Sequence, residues 1–177
     1  MIITVYAASS PHVAPVYKQA AKELGRLMAE NNIACINGAG KTGLMAQVTD
    51  AVLENGGRVT GIIPQFMVDN QWRHPSLTEC IVTPDIHTRK QLMAQRSDAC
   101  IALPGGIGTL EELLEIITWK QLGLYAKPVV ILNTNRYFDD LLRMLAKSEQ
   151  EHFMHHSHSP LWTIAATPEE ALKQICP

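Results

Sequence analysis

The amino-acid sequence predicts an α/β fold in which a doubly wound, mostly parallel sheet is flanked by helices. Short apolar runs alternate along the chain with stretches whose apolar residues recur at helical spacing, which is typical of parallel strands joined by helices. The apolar runs are continuous, as expected for strands covered on both faces. A chain of 177 residues also suits one domain that buries about 70% of its unfolded surface. We therefore predict a single Rossmann-like domain over residues 1–177.

The first half of the chain alternates short runs rich in Ile and Val with longer stretches of helical repeat. Strands are predicted at residues 2–7, 33–37 and 58–63, and helices at residues 15–30 and 43–55. Residues 64–78 differ, because they contain Pro64, Trp72 and Pro75 and few periodic apolar positions. They predict a long irregular loop, a kind of segment that is usually functional or mobile.

The second half of the chain continues the same alternation. Its clearest helix is marked by Leu110, Leu113, Leu114, Ile117 and Leu122, which recur at helical spacing. Strands are predicted at residues 99–103, 128–132 and 161–165, and helices at residues 88–96, 110–122, 137–149 and 168–175. Because the strands are parallel, their carboxyl ends should meet at one edge of the sheet and form the site there.

Composition and charge exclude several classes of function. The net charge is −2 and the sequence has no basic run, so nothing favours nucleic-acid binding. No apolar stretch approaches a membrane-spanning length, and the first residues read as a strand, not a signal peptide. The four cysteines lack metal-site spacing, and Cys35, Cys80 and Cys100 lie in apolar segments, which predicts buried free thiols. We expect a cytoplasmic protein.

The most informative stretch is Pro104-Gly-Gly-Ile-Gly-Thr-Leu-Glu-Glu112, which joins a predicted strand to a predicted helix. Glycines allow close approach of the backbone, and a helix N-terminus offers free amides and a favourable dipole to a phosphate. The ligand contacts expected in this turn are Gly105, Gly106 and Gly108, the first free amides of the helix, and the Thr109 hydroxyl. A carboxylate repels a phosphate, so Glu111 and Glu112 should face a sugar or its glycosidic bond. The alternative is that they are acids favourably placed in a first helical turn.

A second glycine turn, Gly38-Ala-Gly-Lys-Thr-Gly43, follows the predicted strand at residues 33–37. Its spacing matches the dinucleotide fingerprint, but the next strand ends in Pro64 and Gln65 and offers no acid for a ribose. A Walker loop is also excluded, because Cys35 stands where that motif requires glycine. We interpret Gly38 and Gly40 as ligand-facing, together with Ser9 and Ser10 after the first strand. Simple packing of helix on strand remains the alternative.

Arg89 and Lys90 precede the predicted strand at 99–103 by one short helix, which brings two cations toward the first glycine turn. An arginine can hold a phosphate or carboxylate through two parallel hydrogen bonds. The alternative is that both residues belong to a solvated helix start.

A second cluster of candidate residues is rich in histidine: His152, His155, His156 and His158. We interpret it as a solvated surface cluster, because no acid stands at the spacing that a metalloprotease needs. We therefore expect no metal site, and no lysine stands out for pyridoxal phosphate.

With these residues assembled, the chain resembles the LOG ("Lonely guy") family of cytokinin riboside 5'-monophosphate phosphoribohydrolases, some of which have been labelled lysine decarboxylases. The resemblance covers nearly the whole chain. It rests on Ala8-Ser-Ser10, Asn37-Gly-Ala-Gly40, Gly43-Leu-Met45, Gly61-Ile-Ile-Pro64, Arg89-Lys90 with Met93, and Pro104 to Glu112.

The resemblance implies hydrolysis of the N-glycosidic bond of a nucleoside 5'-monophosphate, without cofactor or metal, by a homodimer with sites near the subunit interface. Carried over by position, Arg89 and Glu112 would be the catalytic pair. Lys90, Gly105 to Glu111 and Thr118 would contact the nucleotide.

Three departures from the family pattern bear on base selectivity. Ala7-Ala8 replaces a common Cys-Gly, Asn37-Gly-Ala replaces Tyr-Gly-Gly, and Gln71 stands where many relatives have a substrate-contacting glutamate. Two rival functions stay open at this point. One is an AMP nucleosidase with no cytokinin role, and the other is a non-catalytic carrier of a nucleotide or of molybdenum cofactor, which needs no catalytic carboxylate.

Overall fold

One parallel sheet organises the protein in a computed structural model, which describes residues 1–154 and 160–176. Its strands are β1 (Ile2–Tyr6), β2 (Ala34–Asn37), β3 (Val59–Pro64), β4 (Glu79–Thr83), β5 (Ala99–Ala102), β6 (Val129–Leu132) and β7 (Thr163–Ala165). They lie in the order β4-β3-β2-β1-β5-β6-β7, and every neighbouring pair is parallel. Central β1 pairs Ile3 with Cys35 on one side and with Ala99 on the other. The predicted parallel sheet is confirmed.

Helices cover both faces of the sheet, so the doubly wound prediction is also confirmed. They are α1 (Pro15–Glu30), α2 (Gly43–Glu54), α3 (Gln65–Asp69), α4 (Ile86–Arg96), α5 (Ile107–Gln121), α6 (Asp139–Gln150) and α7 (Pro168–Ile175). One apolar cluster joins α1, α2 and α7 to one face, and a second joins α4 and α5 to the other. Adjacent residues of a strand pack into different clusters, because side chains alternate between the two faces of the sheet. Val5 belongs to the first cluster and Tyr6 to the second.

The edge strand β4 and the short helix α3 were not predicted. Residues 64–78 were interpreted as irregular throughout, yet residues 65–69 form one helical segment and β4 follows directly after residue 78. The strand escaped prediction because it is a short edge strand whose apolar run covers only residues 80–82, between Glu79 and Thr83.

Two helices begin earlier than predicted. Helix α5 starts at Ile107 instead of residue 110, so the glycine turn itself forms the first helical turn. Helix α4 starts at Ile86 instead of residue 88, because the Asp85 side chain accepts a hydrogen bond from the Thr88 amide at 2.7 Å and caps the helix. In both cases the early start is polar or glycine-rich and lacks the apolar repeat that marks a helix in sequence.

The chain winds outward from β1 to β4 and then returns to place β5 on the other side of β1. The carboxyl ends of β1 and β5 therefore flank the crevice where this class of fold binds ligands.

All four cysteines are free thiols. Cys35 and Cys100 are buried as predicted, whereas Cys80 on the edge strand is only half-buried. Within the described residues, no helix has the length and hydrophobicity needed to span a membrane.

Candidate active site

Three loops meet at the carboxyl ends of β1, β2 and β5. The Ala8 amide after β1 donates to the Pro104 carbonyl after β5 at 3.4 Å, and the Thr42 hydroxyl donates to the Ser9 carbonyl at 2.7 Å. Gly43 begins α2 with a φ of +70°, and a Cβ there would lie 2.5 Å from the Ala8 carbonyl oxygen. Only glycine allows this approach. Ser9 and Ser10 are both exposed at this edge.

The turn from Pro104 to Thr109 is exposed at its middle residues, Gly106, Ile107 and Gly108. Gly105 is covered by the buried Thr109, and its carbonyl accepts a hydrogen bond from the Tyr137 hydroxyl at 2.7 Å. A Cβ on Gly106 or Gly108, in contrast, would have no atom of residues 1–154 or 160–176 within 4 Å. The amides of residues 107–109 precede the first intrahelical bond, from the Leu110 amide to the Gly106 carbonyl. This geometry suits an anion at the N-terminus of α5.

Glu112 and Arg89 form a buried ion pair one turn inside α5. Arg89 Nη2 donates to Glu112 Oε1, and the residues are only 9% and 7% exposed, respectively. Burial raises the pKa of the Glu112 carboxyl to about 7, although the Arg89 guanidinium opposes this shift. A carboxyl that titrates near neutrality can exchange a proton or carry charge during a reaction.

Arg89 keeps donors free after binding Glu112. Among the residues that the structure describes, the buried Nε of Arg89 has no hydrogen-bond partner, and its Nη1 lies 4.0 Å from the weak acceptor Met67 Sδ. The same Nη1 would lie 3.4 Å from a Cβ on Gly38, so the second glycine turn forms the opposite wall. Buried donors without partners are rare in folded proteins, and here they point toward an acceptor supplied by a ligand.

Lys90 is occupied by two acids of α5. Its Nζ contacts Glu111, and it lies 3.0 Å from Glu115 Oε1. Burial lowers the pKa of Lys90, but these carboxylates outweigh it and the net shift is upward. Sequence reasoning missed Glu115, although its position one helical turn after Glu111 places both acids on one face. Lys90 therefore ties α4 to α5 beside the Arg89 pair.

The second glycine turn is shaped by side chains of its own strand and of α2. The Asn37 side chain accepts from the Ala39 amide and donates to the Thr49 hydroxyl, each at 2.9 Å. The Gly40 amide donates to Met45 Sδ at 2.9 Å, which is a weak acceptor. Gly38 thus lies beside Arg89, and Gly40 follows it in the same turn, at the edge that also carries the first turn.

Two predicted contacts lie apart from the ion pair. Gln71 is exposed on the turn that follows α3, with a φ of +58°, and its neighbour Trp72 accepts from the Lys41 amide at 3.0 Å. Thr118 is exposed on α5, about 9 Å along the helix from Glu112 at 1.5 Å per residue.

The histidine cluster contributes nothing to this site that the structure describes. His152 is exposed after α6, whereas His155, His156 and His158 lie outside the described residues. Among the residues that the structure does describe, no group of three or more His, Cys, Asp or Glu side chains could hold a metal ion.

Gly106→Asp should sharply weaken binding of AMP while leaving thermal stability near that of the parent. A Cβ at this position has none of the described atoms within 4 Å, so the fold has room for the new side chain, and a ligand in that space would meet its bulk and negative charge. Calorimetry with AMP measures the loss, and Gly106→Asn separates bulk from charge. Unchanged affinity in both variants would exclude this turn from the ligand site.

Comparison with known proteins places the chain in a family. The family model described as "Possible lysine decarboxylase" matches residues 45–175. The chain is 40% identical over 173 residues to a cytokinin riboside 5'-monophosphate phosphoribohydrolase of Arabidopsis thaliana, covering 98% of this chain and 80% of the relative. It is 41% identical over 153 residues to a protein of that name from Rhodococcoides fascians, covering 86% of this chain and 77% of the relative.

A solved structure shares the fold. The molybdenum cofactor carrier protein of Chlamydomonas reinhardtii superposes with a TM-score of 0.76 at 22% identity, over 99% of this chain and 95% of that one. At that identity the likeness concerns the fold alone. The sequence relatives, at about 40% identity over most of both chains, decide the family. The chain belongs to the LOG family of cytokinin riboside 5'-monophosphate phosphoribohydrolases, to which the model described as a possible lysine decarboxylase corresponds.

Proposed function

We propose that this protein hydrolyses the N-glycosidic bond of a nucleoside 5'-monophosphate, either AMP or an N6-substituted AMP of the cytokinin type. The products are the free base and ribose 5-phosphate. The observation that carries the proposal is the buried Glu112 carboxyl, with a pKa of about 7, one turn inside a helix whose N-terminus is open to an anion. The names of the relatives support the same reaction.

The spacing within α5 suits the two ends of a ribose phosphate. A 5'-phosphate at the amides of residues 107–109 would lie about 6 Å from Glu112 at 1.5 Å rise per residue. The sugar develops oxocarbenium character as the base leaves, and the Glu112 carboxylate stabilises that charge or activates water. The free donors of Arg89 hold the phosphate or the departing base. These residues need no metal for the step.

The remaining predicted contacts serve recognition in this proposal. Ser9, Ser10, Gly38 and Gly40 belong to loops at the same sheet edge as the first glycine turn, and we assign them to contacts with the nucleotide. Gln71 selects among bases or riboses from its exposed turn. Because Lys90 is already bound by two acids, we assign it chiefly to holding α4 and α5 together.

We propose a homodimer that uses the outer face of α5. Ile107, Leu114 and Leu122 recur along this face and are 84%, 37% and 66% exposed, and Thr118 lies among them. An apolar stripe of this kind is typical of a subunit interface. Light scattering should give twice the mass of one chain.

The four free thiols support a reducing, cytoplasmic location.

AMP should release its base at least about a hundredfold faster than adenosine. The glycine turn can donate several charge-assisted hydrogen bonds to a 5'-phosphate, each worth about 1.5 to 3 kcal/mol. Adenosine has no phosphate and cannot accept them. Incubation with AMP, an N6-substituted AMP and adenosine, followed by chromatography of the free base, tests this. Equal turnover of AMP and adenosine would contradict the proposal. Exclusive turnover of AMP among the monophosphates would indicate a plain AMP nucleosidase.

A control addresses the description of the family model as a possible lysine decarboxylase. We expect no carbon dioxide from lysine in the presence of pyridoxal phosphate, since no lysine stands out as a Schiff-base partner. Lys90, the lysine at the site, is held by Glu111 and Glu115. Release of carbon dioxide together with a reducible visible absorbance would overturn this expectation.

A further inference from the structure

Residues 65–76, which we name the strap, dock against the second glycine turn through backbone bonds. The Lys41 amide donates to the Trp72 carbonyl at 3.0 Å, and Gly40 pairs with Arg73 in an antiparallel bridge. The His74 amide then donates to the Ala39 carbonyl at 2.8 Å. The strap and the second glycine turn therefore form a short antiparallel ladder of backbone hydrogen bonds. A contact that fixes the strap also fixes the turn.

The His74 side chain fixes the end of this ladder to α2. Its imidazole is 7% exposed, and its Nδ1 lies 3.2 Å from the Ser76 amide, which can only donate. Nδ1 must therefore be the acceptor, so the ring proton lies on Nε2 and is donated to Asp50 Oδ1 at 3.0 Å. Sequence reasoning did not single out this histidine, because Asp50 stands 24 residues away.

The glycine turn needs this support because Ala39 has a left-handed backbone. Its φ is +63°, a conformation that a residue with a Cβ disfavours and adopts only when its surroundings enforce it. The Ala39 amide is held by Asn37, which is itself anchored on Thr49, and the Ala39 carbonyl is held by His74. Two consecutive residues of α2, Thr49 and Asp50, thus secure the turn from both sides.

The second glycine turn forms a wall of the candidate active site. Gly38 faces Arg89 Nη1, and the strap places Met67 Sδ 4.0 Å from the same nitrogen. We infer that His74 is a positioning residue, which through Asp50 latches the strap and the second glycine turn in the shape that receives the nucleotide. The inference rests on the proposed function for its ligand. It assigns no contact between His74 and the reacting atoms.

His74→Ala should raise the KM for AMP about tenfold while changing kcat less than about threefold, because the latch shapes the binding wall and leaves Glu112 in place. Asp50→Ala should have a similar effect, and the double variant should be no worse than His74→Ala, since both lack the bond between His74 and Asp50. His74→Gln should recover most of the affinity, because its amide nitrogen can donate to Asp50.

Hydrogen exchange supplies a readout that does not depend on turnover. The amides of Lys41 and His74 should exchange faster in His74→Ala than in the parent, while amides of α5 stay unchanged. If the parent hydrolyses no nucleotide, the proposed function fails while exchange still tests the latch. Parent-like exchange and parent-like KM in both single variants would overturn the inference. So would additive effects in the double variant, or a His74→Gln protein as impaired as His74→Ala.

Discussion

Glu112→Gln should slow base release from AMP by about a hundredfold to ten-thousandfold, the range that general acid–base catalysis typically contributes. The substitution keeps the shape of a side chain that is 93% buried, so the core of α5 should remain intact. It removes the negative charge that would stabilise an oxocarbenium ion or activate water. Ground-state AMP binding should survive, because a carboxylate near a phosphate contributes repulsion. Single-turnover base release and AMP calorimetry measure the two effects.

Glu111→Gln is the matched control, since Glu111 is the neighbouring carboxylate and is half-exposed. It should reduce turnover far less than Glu112→Gln. A Glu112→Gln protein that releases adenine as fast as the parent would remove the hydrolytic mechanism and leave a nucleotide carrier as the better account. The carrier and the hydrolase both bind nucleotide, and only the hydrolase needs this carboxylate.

The pH dependence follows from the same group. Burial raises the pKa of Glu112 to about 7, so its active carboxylate form is lost as the pH falls through that value. We expect kcat/KM to rise with pH through about 7, and this limb to vanish from the residual activity of Glu112→Gln. An unchanged acidic limb in that variant would assign the titration to another group.

The parts of this site that could be located from the sequence are those whose residues lie close together along the chain. The first glycine turn follows a buried strand directly, and Arg89 stands one short helix before that strand, so chain distance predicted their spatial proximity. The structure brings Arg89 and Glu112 into contact. The same logic predicted the parallel sheet, because its inner strands carry continuous apolar runs.

What sequence reasoning missed depends on contacts between distant residues or on an exposed edge. Glu115 meets Lys90 from 25 residues away, and His74 meets Asp50 from 24 residues away. No local pattern encodes such pairs. Within the described part of the chain, strand β4 pairs only with β3. It carries mixed polar residues, so its backbone pairing outweighs its weak pattern. Lys90 was expected to face the nucleotide, but its carboxylate partners became visible only with the α4–α5 packing.

Arg89→Ala should lower turnover about as much as Glu112→Gln and should also weaken AMP binding, because its free donors act on the substrate before and during the reaction. It also strips the buried Glu112 of its cation, and breaking a buried ion pair typically costs about 3 to 5 kcal/mol. Loss of activity alone would therefore not separate catalysis from stability.

The double variant Arg89→Ala/Glu112→Gln removes that ambiguity. It leaves no unpaired buried charge, so its denaturation midpoint should recover toward the parent value while base release stays at the level of the weaker single variant. Arg89→Lys provides the companion test, since it keeps a cation but loses the planar fork and should bind AMP more weakly than the parent. If the double variant regains stability and binds AMP as tightly as Glu112→Gln, Arg89 acts only on the fold. If it regains stability but binds AMP more weakly than Glu112→Gln, Arg89 also acts on the substrate.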